Sequence, residues 1–366
     1  VFDYIRGYLM IVILIDHLNI YPSIFQYITG RGQMWVTAAE GFFFISGAMV
    51  GLIRGSQYLK DKDILPIAKK LLNRSWKLYL YYVLFTILSV LIALILIKFN
   101  LGTLKTEEVM TAKGISRTFW NIVQLSAGYG YVNFLKYYAI YMILSIPLLW
   151  LLKNKMWYLI IGLAVVSWFE PRLATFNFDN LFFYWFSYFA LGTLFGFYYN
   201  KIKSIFLKKS SLVRQSTSWV CIGALFLVFG INWYINFFDV KKSTNIIGFL
   251  KSFSHYQWKL TDFTETWLYN NRTGVMRLAI FLLIAPGVFF IFKKLEPIIK
   301  RRLDWIIGEF GRNSLRTFIV GGISVLLFKF WAVDITFIYN SLVSVLYLYL
   351  VLKIINISWI KKYISN

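Results

Sequence analysis

The sequence predicts an all-α fold: a polytopic integral membrane protein with about ten transmembrane helices and both termini in the cytoplasm. Three observations carry this. Of 366 residues, 59% are hydrophobic and 20% aromatic, and the mean hydropathy is +0.62, more apolar material than a soluble core of this size needs to hide. These residues gather in runs that approach the roughly 20 apolar positions needed to span hydrocarbon, with no alternating strand pattern of a membrane barrel. Basic residues gather between alternate runs, as the positive-inside rule expects.

The runs place spans at 4–21, 36–53, 77–97, 133–152, 156–170, 180–200, 217–237, 275–292, 306–329 and 335–354. Residues 54–77 hold Arg54, Lys60, Lys62, Lys69, Lys70, Arg74 and Lys77, and 201–214 and 293–302 hold five bases each. The short connections 22–35 and 171–179 carry only Arg31 and Arg172. The basic set belongs in the cytoplasm, which requires an even number of spans. Residues 56–76 read as a basic interfacial helix on that side. Two outer connections are long, 98–132, with an amphipathic SRTFWNIVQL, and 238–274. No repeat or linker divides the chain, so 1–366 reads as a single transmembrane domain.

The net charge of +23 has a membrane explanation in this pattern, so the partner it implies is the lipid bilayer and not nucleic acid. The one cysteine, Cys221, lies in an apolar run and cannot form an intrachain disulfide. With only His17 and His255, a multi-histidine metal site is excluded and no metal is expected.

The first span, FDYIRGYLMIVILIDHLNIYP, contains Asp3, Arg6, Asp16 and His17. A charge at bilayer depth costs several kcal/mol unless it is paired or wetted. Arg6 and His17 are eleven positions apart, so on a helix they differ by only about 20°, with about 16 Å between them. Asp3 lies about 40° from His17, and Asp16 points elsewhere. One face thus carries an acid, a base and an imidazole. Arg6 falls toward the cytoplasmic end and His17 toward the outer end. The alternative for Asp3 and Arg6 is an interfacial position, with Arg6 snorkelling to lipid phosphates.

The second span opens TAAEGFFFISGAMVGLIRG. Glu40, Gly47 and Gly51 share a face, and Gly47, Gly51 and Gly55 form GxxxGxxxG, a spacing that lets two backbones approach closely. A tight pair of first and second helices would bring Glu40 to His17, giving a histidine oriented and made more basic by a carboxylate. The alternative is a structural ion pair between Glu40 and a base such as Arg31. Gly192 and Gly196 repeat the small-residue spacing, where packing alone is expected.

Further charges recur at span ends: Arg74, Arg272 and Arg277 in NNRTGVMRL, and Glu309, Arg312 and Arg316 in GEFGRNSLRTF. Arginine clusters suit phosphate or carboxylate; snorkelling is the competing reading for each. In 238–274, His255, Trp258 and Trp267 stand among polar residues, as an interfacial belt or a sugar-stacking surface. There is no GxSxG, P-loop or dinucleotide fingerprint.

FDYIRGYLMIVILIDH resembles the first helix of the transmembrane acyltransferase superfamily that includes acyltransferase family 3, with D-x-x-R-G followed by histidine. The Asp-His pair and TAAEGFFFISG resemble the OpgC-like branch, named for the enzyme that succinylates periplasmic glucans. LLNRSWKLYLYY, KYYAIYMILSIPLL, FDNLFFYWFSYFALGTLFG, RTGVMRLAIFLL and GRNSLRTF resemble later landmarks in the same order. The entry to the eighth span departs, since NNRTGVMR lacks the usual proline although Arg277 matches. The resemblance implies a ten-helix acyltransferase of the cell membrane that takes acyl-CoA from the cytoplasm and acylates an extracytoplasmic glycan. Succinyl and acetyl stay open. Arg6 and His17 correspond to the superfamily's required arginine and histidine, and Glu40 to the branch's motif glutamate.

Together these readings expect His17, Glu40 and Asp16 to be catalytic, with His17 the general base. They expect Arg6, Arg74, Arg312 and Arg316 to bind the coenzyme, and Arg277, Trp258 and Trp267 the acceptor. The rival is a transporter or flippase of a lipid-linked sugar, which interior charges suit equally well; the absent repeat and the single-helix polar column stand against it.

Overall fold

The computed structural model describes residues 1–32, 34–60, 63–98, 115–125, 132–173, 180–237, 276–328 and 336–364. Among them every regular element is helical. In chain order these are α1 (Phe2–Leu18), α2 (Ala38–Lys60), α3 (Leu65–Lys98), α4 (Ile115–Val123), α5 (Phe134–Lys153), α6 (Trp157–Leu173), α7 (Asn180–Lys208), α8 (Ser211–Phe237), α9 (Arg277–Arg302), α10 (Ser314–Phe328), α11 (Phe337–Ile355) and α12 (Ser358–Tyr363). Each apolar run read from the sequence carries a helix. Among the described residues seven helices, α2, α3, α5, α7, α8, α9 and α11, are long and apolar enough to cross a membrane, while α6 and α10 are shorter apolar helices and α1 has 17 residues.

Helix ends follow local chemistry. Asn19 stops α1 by turning left-handed at φ 53°, a conformation asparagine tolerates better than most residues. Thr37 and Glu40 form a capping box at the start of α2, in which Glu40 Oε2 accepts the Thr37 N–H at 2.8 Å. The basic stretch 56–76 is not one interfacial helix. Ser56–Lys60 continues α2, and α3 begins at Leu65, where Asp63 Oδ1 accepts the Leu65 N–H at 3.1 Å. Pro66 lies in the first turn of α3, where its missing N–H is no loss, and no further proline or glycine interrupts the run to Lys98. The SRTFWNIVQL stretch is helical, as its amphipathic spacing suggests.

The glycine face of α2 packs against α7, not α1 as the sequence suggests. A Cβ on Gly47 or Gly51 would collide with the carbonyls of Phe189 or Thr193; one on Gly192 or Gly196 would collide with those of Phe44 or Ala48. Two small-residue stripes therefore face each other, and neither backbone leaves room for a side chain. Sequence alone could not choose between them, because each stripe accepts any close partner. α1 has its own close neighbour: a Cβ on Gly7 would strike the Ile307 carbonyl, and one on Gly311 the Asp3 carbonyl. The span expected over 306–329 is correspondingly broken. A π-helical turn at Asp304–Gly308 and a short turn at Glu309–Arg312 end at Asn313, before α10. Aromatic rings close the centre: Phe43 stacks on Phe134 at 4.2 Å, and Phe134 meets Phe318 at 4.9 Å, tying α2, α5 and α10 together.

Candidate intramembrane site

A deeply buried charge pair joins two helix starts. Arg277, the first residue of α9, is 1% exposed, and Glu40, in the first turn of α2, is 3% exposed. Arg277 donates to Glu40 Oε1 from Nη2 at 2.6 Å and from Nε at 3.1 Å. Mutual pairing is what makes either charge tolerable at such burial. The fully buried Tyr188 of α7 lies within electrostatic reach of both. Glu40 therefore has a structural ion partner in Arg277, while the Arg31 guanidinium donates to Gln26. Glu40 Oε2 serves the capping box. Each carboxylate oxygen has two lone pairs, so these bonds do not exhaust its acceptor capacity.

α1 presents two different faces. On one of them Arg6 lies within electrostatic reach of Arg74 of α3 and Tyr138 of α5. Arg6 Nη1 lies 3.6 Å from Asp3 Oδ1. Arg74, on α3, donates to the Tyr138 hydroxyl of α5 at 3.1 Å and lies 5.6 Å from the centre of that ring. One residue along each helix, Ser75 Oγ donates to the Ala139 carbonyl at 2.8 Å, fixing α3 against α5. Arg54, near the end of α2, also feels Arg74 and donates to Gln57 at 2.9 Å. Arg6 and Arg74 thus share Tyr138 as a neighbour, with Asp3 beside Arg6 and Arg54 within electrostatic reach of Arg74. Such an excess of positive charge is a seat for a polyanion.

A face about a quarter-turn round α1 from Arg6 carries Asp16. Its Oδ1 accepts from the Tyr21 hydroxyl at 2.9 Å, and that hydroxyl lies 2.6 Å from Thr29 Oγ1. Ile5, Leu9, Val12 and Asp16 line a large apolar cavity against α2, α7, α8 and α9. His17, half-buried, is one residue on and about 100° round the helix, on the Arg6 side. The continuous helix between them keeps Arg6 and His17 in column, three turns apart.

Arg312 and Arg316 do not act as one pair, because the break at Asn313 separates them. Arg312 bonds Asp304 with both terminal nitrogens, at 2.9 and 3.1 Å, and Glu309 at 3.2 Å. Arg316 donates to Asn313 and, at 3.2 Å, to the Ile355 carbonyl. Asp304, held also by the Tyr4 hydroxyl, is pulled below the ordinary carboxylate pKa chiefly by the Arg312 hydrogen bond. Trp258 and Trp267, with His255 and Arg272, lie outside the described residues. Among the described residues no three His, Cys, Asp or Glu side chains gather.

Sequence reading missed Arg54, Tyr138 and Tyr188 as site neighbours. Arg54 was one of seven bases in a connection; its signal was its place beside Gly55 on the glycine-faced helix. Tyr138 and Tyr188 are two of 25 tyrosines, and nothing local sets them apart.

Long apolar helices around an interior set of paired and clustered ionisable side chains define a helical membrane protein with an intramembrane polar site. The chain belongs to the OpgC family: the model of that family, described as OpgC protein, matches residues 2–362. Comparison with curated proteins and with solved structures gave no match. Membership in this family points to acyl transfer as the class of activity.

Proposed function

We propose that this protein is a multi-pass O-acyltransferase of the plasma membrane, crossing it ten times with both termini in the cytoplasm. It moves a succinyl or acetyl group from cytoplasmic acyl-CoA to a hydroxyl of an extracytoplasmic glucan or other surface glycan. The observation that carries this reading is α1 itself. One rigid helix holds Arg6 within a cationic cluster at one end and His17 in column with it toward the other. About 16 Å separates the two, a separation suited to the extended arm of a coenzyme.

In the mechanism, Arg6, Arg54 and Arg74 receive the phosphates of acyl-CoA, with Arg312 and Arg316 further out at the same mouth. The pantetheine arm runs along α1 toward His17. An acceptor hydroxyl hydrogen-bonds the imidazole, which takes its proton as the oxygen attacks the thioester carbonyl. The tetrahedral intermediate collapses, the C–S bond breaks, and the imidazolium returns the proton to the departing thiolate. General-base assistance of this kind is worth roughly 10²–10⁴-fold. Glu40 stabilises the imidazolium, and Asp16 is the substitute. Arg277 fixes Glu40 and, with Trp258 and Trp267, faces the acceptor.

The test is mass spectrometry of surface glycans from cells with and without the gene. Added succinyl or acetyl mass that depends on the protein supports the reading. Identical glycans, together with membranes inert toward labelled acyl-CoA, would favour transport.

A further inference from the structure

Apart from Asp16 at one end, the apolar cavity on the Asp16 side of α1 is not used by that mechanism. It has a volume of about 810 Å³ and is partly open. Leu9 and Val12 of α1, Phe44 of α2, Phe195 of α7, and Phe281 and Phe289 of α9 are among its walls. The lining runs from Leu191 to Leu207 on α7 and from Phe281 to Glu296 on α9, which is more than about 20 Å of helix. Left empty, such a space forfeits dispersion contacts along its whole wall, and its apolar walls offer water few partners. Within a bilayer the material at hand to fill it is hydrocarbon.

Its polar groups are divided between the ends. Asp16 and Thr29 lie at one end, bonded to Tyr21. At the other are Lys203, Lys293 and Glu296, the last bonded to the Val1 nitrogen at 2.9 Å. Both lysines are exposed, and Lys201 and Lys294 adjoin them, Lys294 lying 4.1 Å from the centre of the Trp219 ring. An elongated apolar slot with a pair of cations near one end matches an amphiphile with a single negative headgroup.

We propose that this cavity is a binding site for one acyl chain of an anionic phospholipid, with its phosphate held by Lys203 and Lys293. The site is independent of the acyltransfer reading. The lipid bridges α7 and α9 along the wall of α1, filling the space between them. The occupant is drawn from the leaflet that meets the lysine end of the cavity.

The full chain in nanodiscs of equal phosphatidylglycerol and phosphatidylcholine tests this, with a photoactivatable group on the acyl chain of one lipid or the other. Adducts mapped by mass spectrometry should concentrate on Phe195 and Phe289 over the outward-facing Val220 and Leu227 of α8, with phosphatidylglycerol labelling preferred about tenfold. Ala285→Trp, which fills the slot, should lower cavity labelling several-fold. Joint Lys203→Gln and Lys293→Gln should abolish the preference for phosphatidylglycerol. Adducts no denser in the cavity than on α8, or equal cavity labelling by the two lipids in the unsubstituted chain, would overturn the proposal. That mapping needs no variant, so a misfolded substitution cannot blur it.

Discussion

Arg277 Nη2 and Glu40 Oε1 lie 2.6 Å apart although 237 residues separate them in the chain. The pair pins the start of α9 to the start of α2, with both side chains almost wholly buried. Removing one partner leaves the other charged and buried, at about 3–5 kcal/mol. Arg277→Met should therefore lower the thermal stability of the purified protein severely. The joint Glu40→Gln and Arg277→Met variant should lose less than the sum of the two single changes, because no charge is then orphaned. Additive losses would mean the pair is not coupled.

The α2–α7 contact predicts a contrast among glycines. Gly47→Ala and Gly192→Ala each push a methyl group into a backbone carbonyl across the interface and should destabilise strongly, by about 1–3 kcal/mol or more. Gly162 has nothing within 4 Å of its missing Cβ, so Gly162→Ala should be neutral or stabilising by up to about 1 kcal/mol. Melting curves of the three variants in one detergent check this.

The cationic cluster predicts a binding defect. Arg74→Ala removes a guanidinium from the Arg6–Arg54–Tyr138 group, and a lost charge-assisted bond is worth about 1.5–3 kcal/mol. The KM for acyl-CoA should rise roughly tenfold or more, with kcat little changed and the defect larger at low salt. Titration with coenzyme A alone gives an independent measure of the same loss.

Asp304 predicts a pH dependence. Its carboxylate is depressed below the ordinary value by Arg312. Its contribution to holding the 304–312 turn is therefore complete above the unfolded carboxylate pKa of about 4, and is lost as pH falls through the lower folded value. Asp304→Asn should reduce stability by a constant amount above about pH 5, and the difference from the unsubstituted protein should shrink on acidification. Paired melting curves from pH 7 to pH 3 measure it.

Much of this was legible in the chain. The apolar runs locate the helices because hydrocarbon demands long uninterrupted apolar segments. The column of Arg6 and His17 follows from helical period alone. Partners were less legible. The glycine face of α2 announces a close neighbour without naming it, and that neighbour is α7. Glu40 announces the need for a cation, and Arg277 supplies it from far along the chain. The break between Arg312 and Arg316 was hidden because Asn313 interrupts the helix without a proline. Pairing across distant segments depends on how helices assemble, and no local pattern encodes it.

The central claim is that His17 is the general base of an acyl transfer. Membranes containing the unsubstituted protein or His17→Ala, matched for expression and melting temperature, should be given labelled acyl-CoA and the acceptor glycan, and the labelled glycan counted. Transfer by the unsubstituted protein with a loss of roughly 10²–10⁴-fold in His17→Ala is the predicted result; undiminished transfer by His17→Ala would contradict the account.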